Sequence, residues 1–239
     1  MKVYLFMGSH LREIRACMDH LAAFEEASPL QIRVPEGLDW PARGSESIEQ
    51  IEYNPENSLM VLDPDGDQTV FILLDPGKSP IDQLEHLAEQ LGNCLIEPVK
   101  IITCVDCSAA EKSPQLRTWL EACIYYSDIV LLGNRSDASK PFVRDYQKGF
   151  ERLCYPCLFG FLKGEGRPDI GLEILAPDTR RISQLFDIGE ELPEVAPGTI
   201  IESSCDLDLE EQEKDPYRSP ADEETPPPTI PNISKWIVK

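Results

Sequence analysis

Short apolar runs that alternate with helix-spaced apolar residues constrain this chain more than any other feature. Residues 2–7 form an apolar run that stops at Gly8, and Leu11, Ile14, Met18, Leu21 and Ala22 then recur at helical spacing within residues 11–24. Residues 30–34 read as a second strand. Residues 47–74 read as strand, strand, hairpin and strand, with 58–62 and 69–74 flanking the turn formers Asp63-Pro64-Asp65-Gly66-Asp67. Ser79 with Pro80 after it is an N-cap and first-turn signal for a helix over 81–91. The apolar run 99–105 is the kind of strand that a parallel sheet buries on both faces. A helix over 115–126, a strand over 129–132, a helix over 140–153, a strand over 155–162 and a helix near 179–186 complete the series. This alternation predicts an α/β domain over residues 1–186, with a doubly wound, mostly parallel sheet and an antiparallel hairpin. Such sheets bind ligands beyond the carboxyl ends of their strands, so the loops after Met7, Leu74, Val105 and Leu132 are where chemistry is expected.

Beyond residue 186 the pattern dissolves. Residues 187–239 hold 14 acidic and 4 basic side chains, so this stretch carries −10 of the net charge of −21 and the remainder −11. Residues 187–229 are acidic and proline-rich, a composition expected to be disordered because it buries too little apolar surface to offset chain entropy. Residues 230–239 differ: Ile230, Ile233, Trp236, Ile237 and Val238 concentrate apolar anchors in a short docking segment for a protein partner or for its own domain. With both halves negative, neither a nucleic-acid nor a membrane-surface partner is expected. The opening residues read as neither a signal peptide nor a membrane span, and the eight cysteines read as reduced thiols, which predicts a cytoplasmic protein.

Three segments in order carry a family likeness. Residues 69–82 (TVFILLDPGKSPID) are a strand reaching Asp75 and turning into a helix. Residues 101–107 (IITCVDC) end a strand in Val-Asp. Residues 119–137 run through a helix, a Ser-Asp step and an apolar strand to Asn134-Arg135-Ser136-Asp137. This series resembles the CobW/HypB/UreG-type P-loop GTPases, a class associated with metal-cofactor assembly, over residues 1–186. The resemblance implies a P-loop NTPase type of fold. It also implies a base-reading role for Asn134, Arg135 and Asp137, with Arg where the family has Lys, and a switch position at Asp75. Arg stacks well but does not replace Lys conservatively. Read without the resemblance, Asn134–Asp137 is a strand-end turn.

The phosphate loop is where the chain departs from that class. A P-loop needs G-x-x-x-x-G-K-[ST] after its first strand, so that amides cradle the phosphates, Lys reaches the β/γ oxygens and a hydroxyl holds Mg²⁺. Here the first strand runs into Gly8-Ser9-His10-Leu11-Arg12-Glu13. Gly8 and Ser9 are the vestigial candidates, and Ser9 is expected to cap the helix. Positioning and charge neutralisation supply most phosphoryl-transfer catalysis, so no GTP hydrolysis is expected. The sequence therefore reads as a non-catalytic pseudo-GTPase serving as a scaffold or regulatory binding module. The alternative is an atypical GTP-binding protein or metallochaperone. Gly77-Lys78-Ser79 spells the end of a P-loop, but Ile72 stands where its first glycine is required and N-cap chemistry explains Ser79 better.

No cofactor is expected, and GTP is the one ligand the resemblance leaves open. The family's Cys metal motif has no counterpart, since no cysteine lies between Cys17 and Cys94. Cys104 with Cys107 and Cys154 with Cys157 are weak thiolate candidates for zinc, because strand residues three apart point to opposite faces. Asp63, Asp65 and Asp67 alternate like a calcium loop, but Leu74 takes the place of the required Glu.

Overall fold

In a computed structural model of the chain, residues 1–23, 29–40, 46–52, 68–94, 96, 98–153, 155, 157–170, 216–217 and 228–237 are described. Two compact units result: Met1–Phe186 together with Ile230–Lys239, and Asp187–Thr229. Of the second unit, residues 216 and 217 form a turn.

The first unit alternates strands and helices. Strand β1 (Lys2–Gly8) leads to helix α1 (Leu11–Ala22), then β2 (Leu30–Pro35), β3 (Ser47–Ile51) and β4 (Thr69–Leu73). Helix α2 (Pro80–Asn93), β5 (Pro98–Asp106), a short α3 (Cys107–Lys112) and α4 (Pro114–Tyr125) follow. Strand β6 (Ile129–Gly133), α5 (Lys140–Arg152), β7 (Leu158–Lys163) and β8 (Arg167–Pro168) complete it. The sheet order is β3-β2-β4-β1-β5-β6-β7-β8. Every pairing is parallel except β7 with β8. The fold is a doubly wound, mostly parallel α/β sheet.

Handedness sorts the helices. From β1 the chain moves to one side of the sheet through α1, and from β4, β5 and β6 it moves to the other side. Right-handed crossovers therefore place α1 on one face and α2, α4 and α5 on the opposite face. The core reflects this division. Leu11, Ile14, Cys17, Met18 and Leu21 of α1 pack on Tyr4, Phe6, Phe71, Leu73, Ile102 and Cys104. The alternate residues Val3, Leu5, Met7, Val70, Ile72 and Ile101 are as deeply buried and point to the other face. The order reverses between β1 and β5, and that reversal is the topological switch point.

Three details differ from the pattern read in the sequence. The seventh strand begins at Leu158, not at 155, because the Tyr155 N–H closes the end of α5 on Phe150 O at 3.2 Å. A separate short helix, α3, precedes α4 because the Asp106 carboxylate accepts the Ala109 N–H at 2.9 Å and caps it. Cys107 consequently opens a helix and does not continue the strand. The described antiparallel pairing joins Leu162 and Lys163 to Pro168 and Arg167. The strand expected over 58–62, its turn at 63–67 and the helix near 179–186 lie outside the described residues. Among the described residues no helix is long and apolar enough to cross a membrane.

Candidate functional site

The carboxyl ends of β1, β5 and β6 stand side by side at the switch point. Gly8 ends β1 at φ +148°, and a Cβ at that position would collide with the Cys104 carbonyl of β5. The two strands approach so closely that only glycine fits. Ser9 and His10 alone separate β1 from α1. His10, not Ser9, caps the helix: its Nδ1 accepts the Glu13 N–H at 3.2 Å. Ser9 is instead fully buried, and its hydroxyl has no hydrogen-bond partner among the described residues. The cap fell to His10 because Ser9 still follows the strand, one residue too early to face the first helical turn.

Glu13 then occupies the focus of the edge. It sits at the third helical position, where a capping box would turn it back toward the N-cap N–H. Its carboxylate instead lies across β6. A Cβ on Gly133 would overlap the Glu13 oxygens, so the carboxylate rests directly on the glycine backbone. The Asn134 backbone N–H donates to Glu13. Burial, then the neighbouring Asp106 charge, raises the Glu13 pKa to about 7. One Glu13 oxygen is buried without a hydrogen-bond partner. The His10 pKa is lowered by burial, so its imidazole is neutral, as an Nδ1 that accepts an N–H requires. Glu13 carried no assigned role in the sequence. A His-x-x-Glu capping-box pattern was the signal available, and it pointed to a different partner.

The residues expected to read a base are close together. Asn134 adopts the left-handed conformation (φ 45°, ψ 34°) and donates through Nδ2 to Asp106 Oδ2 at 3.0 Å. Arg135 stacks its guanidinium over Phe161, 3.8 Å from the ring centre. Asp137 is exposed on a single 3₁₀ turn, Arg135–Asp137, and Ser139, not Asp137, caps α5. Beside them lies a cleft of about 570 Å³ lined by His10, Arg12, Glu13, Asn134, Arg135 and Lys163 among others.

Asp75 lies elsewhere on the edge, at the end of β4. Its carboxylate accepts the Gly77 N–H at 2.8 Å, and its own N–H donates to Gln83 Oε1 at 2.7 Å. Gln83 Nε2 returns to Asp75 O and Ser79 O at 2.9 and 3.1 Å, so one buried amide closes the whole turn. Ser79 caps α2 through the Asp82 N–H at 3.3 Å, and Lys78 O accepts the Trp119 indole N–H at 3.1 Å. Gly77-Lys78-Ser79 is thus a saturated helix start.

The cysteines considered for metal are scattered among different roles. Cys104 is fully buried, and its hydrogen bond with Cys17, together with burial, raises its pKa well above the ordinary value. Burial and Asp106 push Cys107 up to about 12. Both are protonated thiols at neutral pH. Cys157 is half-buried, and Cys154 lies outside the described residues. Among the described residues no cluster of three or more His, Cys, Asp and Glu could hold a metal ion.

No protein-family model matches the chain, and no curated protein matches it in sequence. Two solved structures are similar in fold. The signal recognition particle receptor FtsY from Elizabethkingia anophelis, in complex with GDP, is 10% identical with a TM-score of 0.46. The likeness covers 76% of this chain and 64% of that one. The Zn(II)-bound YjiA GTPase from E. coli is 18% identical with a TM-score of 0.46, over 76% of this chain and 63% of that one. The chain thus spans less than two thirds of the length of either protein.

Proposed function

We propose that this domain is a non-hydrolysing pseudo-GTPase that serves as a scaffold or regulatory binding module. The observation that carries the reading is the position of Glu13. An acidic side chain, fed by the first turn of α1, rests on Gly133 and takes the Asn134 N–H at the edge where a nucleotide-binding sheet would hold phosphate. Asp106 stands beside it, and the Lys and the hydroxyl that follow the second glycine of a phosphate loop have no counterpart in the turn from β1 to α1. The turn from β1 to α1 is also too short to present a ring of amides. A triphosphate does not fit these residues, and no cofactor enters the proposed role.

Isothermal titration of the purified chain with GTP and Mg²⁺ tests this directly. No heat of binding is expected at micromolar nucleotide, and micromolar affinity would end the proposal. A second reading, an atypical guanine-nucleotide binder, is favoured by one observation: the exposed Asp137 carboxylate beside a cleft that Asn134 and Arg135 line. Asp137→Asn discriminates between the two. It should shift preference from guanine to xanthine nucleotides only if a base is read there, and should be silent under the proposal.

A further inference from the structure

The segment 230–237 crosses the carboxyl edge of the sheet at β4, from one face to the other. On the α2 side, Ile230, Pro231 and Asn232 line a groove of about 380 Å³ with Gln83 and His86. Midway, the Ser234 hydroxyl lies 3.1 Å from where a Cβ on Gly77 would stand. Beyond it Ile237 packs against the core cluster on the α1 face, which includes Val34 and Trp40. Ile233 is the anchor, fully buried, while Ile230, Trp236 and Ile237 are half-buried.

The hydrogen bonds of this segment are its own. Trp236 N–H donates to Ile233 O at 2.8 Å, and Ser234 donates through its N–H and hydroxyl to Asn232 Oδ1 at 2.8 and 2.6 Å. The Lys235 ammonium sits 4.0 Å from the centre of the Trp236 ring. Among the described residues the segment gives the domain side-chain contacts and no hydrogen bond. It is joined to the rest of its unit only through residues 187–229, which form the other unit. No short connection forces it onto the edge, and a free competitor acts against a finite effective concentration.

We propose that the carboxyl edge over β4 is a peptide-docking surface held shut in cis by residues 230–237. Its partner is a protein presenting the same chemistry in trans: an isoleucine anchor just behind a proline, followed by a turn and an aromatic side chain. The segment seated there defines what fits, and a self-contained turn can leave and be replaced without breaking backbone pairing. Because the groove beside Ile230 is open, an incoming peptide gains its first contacts along α2 before Ile233 yields its place. The inference is independent of whether any nucleotide binds at the switch point.

A fluorescein-labelled peptide of residues 228–239 is titrated against the full chain and against the full chain carrying Ile233→Ala. The variant, with its own anchor weakened, should bind the peptide at least tenfold more tightly than the unaltered chain. A peptide carrying Ile233→Asp should bind neither. Equal affinity for the two chains, or none for either, overturns the proposal. Should Ile233→Ala fail to fold, hydrogen exchange on the unaltered chain decides. The Trp236 amide should exchange at least a hundredfold faster than the amides of β5, reporting local release. Protection equal to that of β5 would make the segment part of the cooperative core and overturn it.

Discussion

Two strand-to-helix turns on the same edge of this sheet make opposite impressions as letters and as structure. The turn after β4 spells Gly77-Lys78-Ser79, the last three residues of a phosphate loop, yet its polar groups are consumed by Gln83, Ser79 and Trp119. The turn after β1 retains Gly8 and Ser9, with neither Lys nor hydroxyl in register, yet it lies at the switch point and keeps a buried hydroxyl and a buried carboxylate oxygen without partners. A motif is a statement about backbone amides, which only a loop of the right length can aim. In the turn after β4 the geometry assigns those letters to helix capping, and in the turn after β1 to the close approach of β5.

Substitutions can break that contrast. The largest effect is expected from Gly8→Ala, where a positive φ and the Cys104 carbonyl both exclude a side chain; a loss of about 3 kcal/mol or more is expected in urea denaturation. Gly77→Ala is the control in the other turn. Its φ is not positive, and its new methyl would meet only the ends of Asp75 and Ser234, so a change within about 1 kcal/mol is expected. Equal losses at the two glycines would remove the distinction drawn between the turns.

Next is Gln83→Leu, which strands the buried Asp75 N–H and takes one of two hydrogen-bond donors from each of the Asp75 and Ser79 carbonyls; about 2 kcal/mol should be lost, read from the same denaturation curves. Glu13→Gln should act in the other direction. Glu13 binds its proton up to about pH 7 when folded, against an ordinary value of 4.5, so the folded chain holds the proton longer than the unfolded chain. Stability from this group is therefore complete below pH 4.5 and falls as pH rises through 7. The amide removes that fall and should raise stability above pH 7 by about 1–2 kcal/mol, a figure reduced for partial exposure. His10 titrates in the opposite sense, its contribution lost as pH falls, so the acid-side decline should persist in Glu13→Gln. The smallest effect is Ser79→Ala, which removes a single cap and should cost about 1 kcal/mol in thermal unfolding.

How much was legible differs between strands and site. The helices α1, α2, α4 and α5 were legible, α1 from its apolar periodicity and α2 also from its Ser79-Pro80 start, because a helix buried on one face must repeat its apolar residues. The seventh strand was placed too early because Tyr155 is apolar enough to extend a run, while its N–H belongs to the helix before it. Asn134 was visible through its likeness to a family motif, but its partner Asp106 is distant in sequence. Glu13 was invisible because a surface glutamate in a first helical turn looks the same whether it faces water or a neighbouring strand.

The sequence alone determined the layered α/β plan and the shortness of the first turn, since both depend on local spacing and on which residue types tolerate burial. Only the tertiary structure decided that Glu13 lies on Gly133, that His10 replaces Ser9 as the cap, and that Ile233 closes the edge of its own domain. Those outcomes depend on which strand ends stand side by side. Adjacency in a doubly wound sheet is set by crossovers that join residues far apart in the chain, and no local pattern records it.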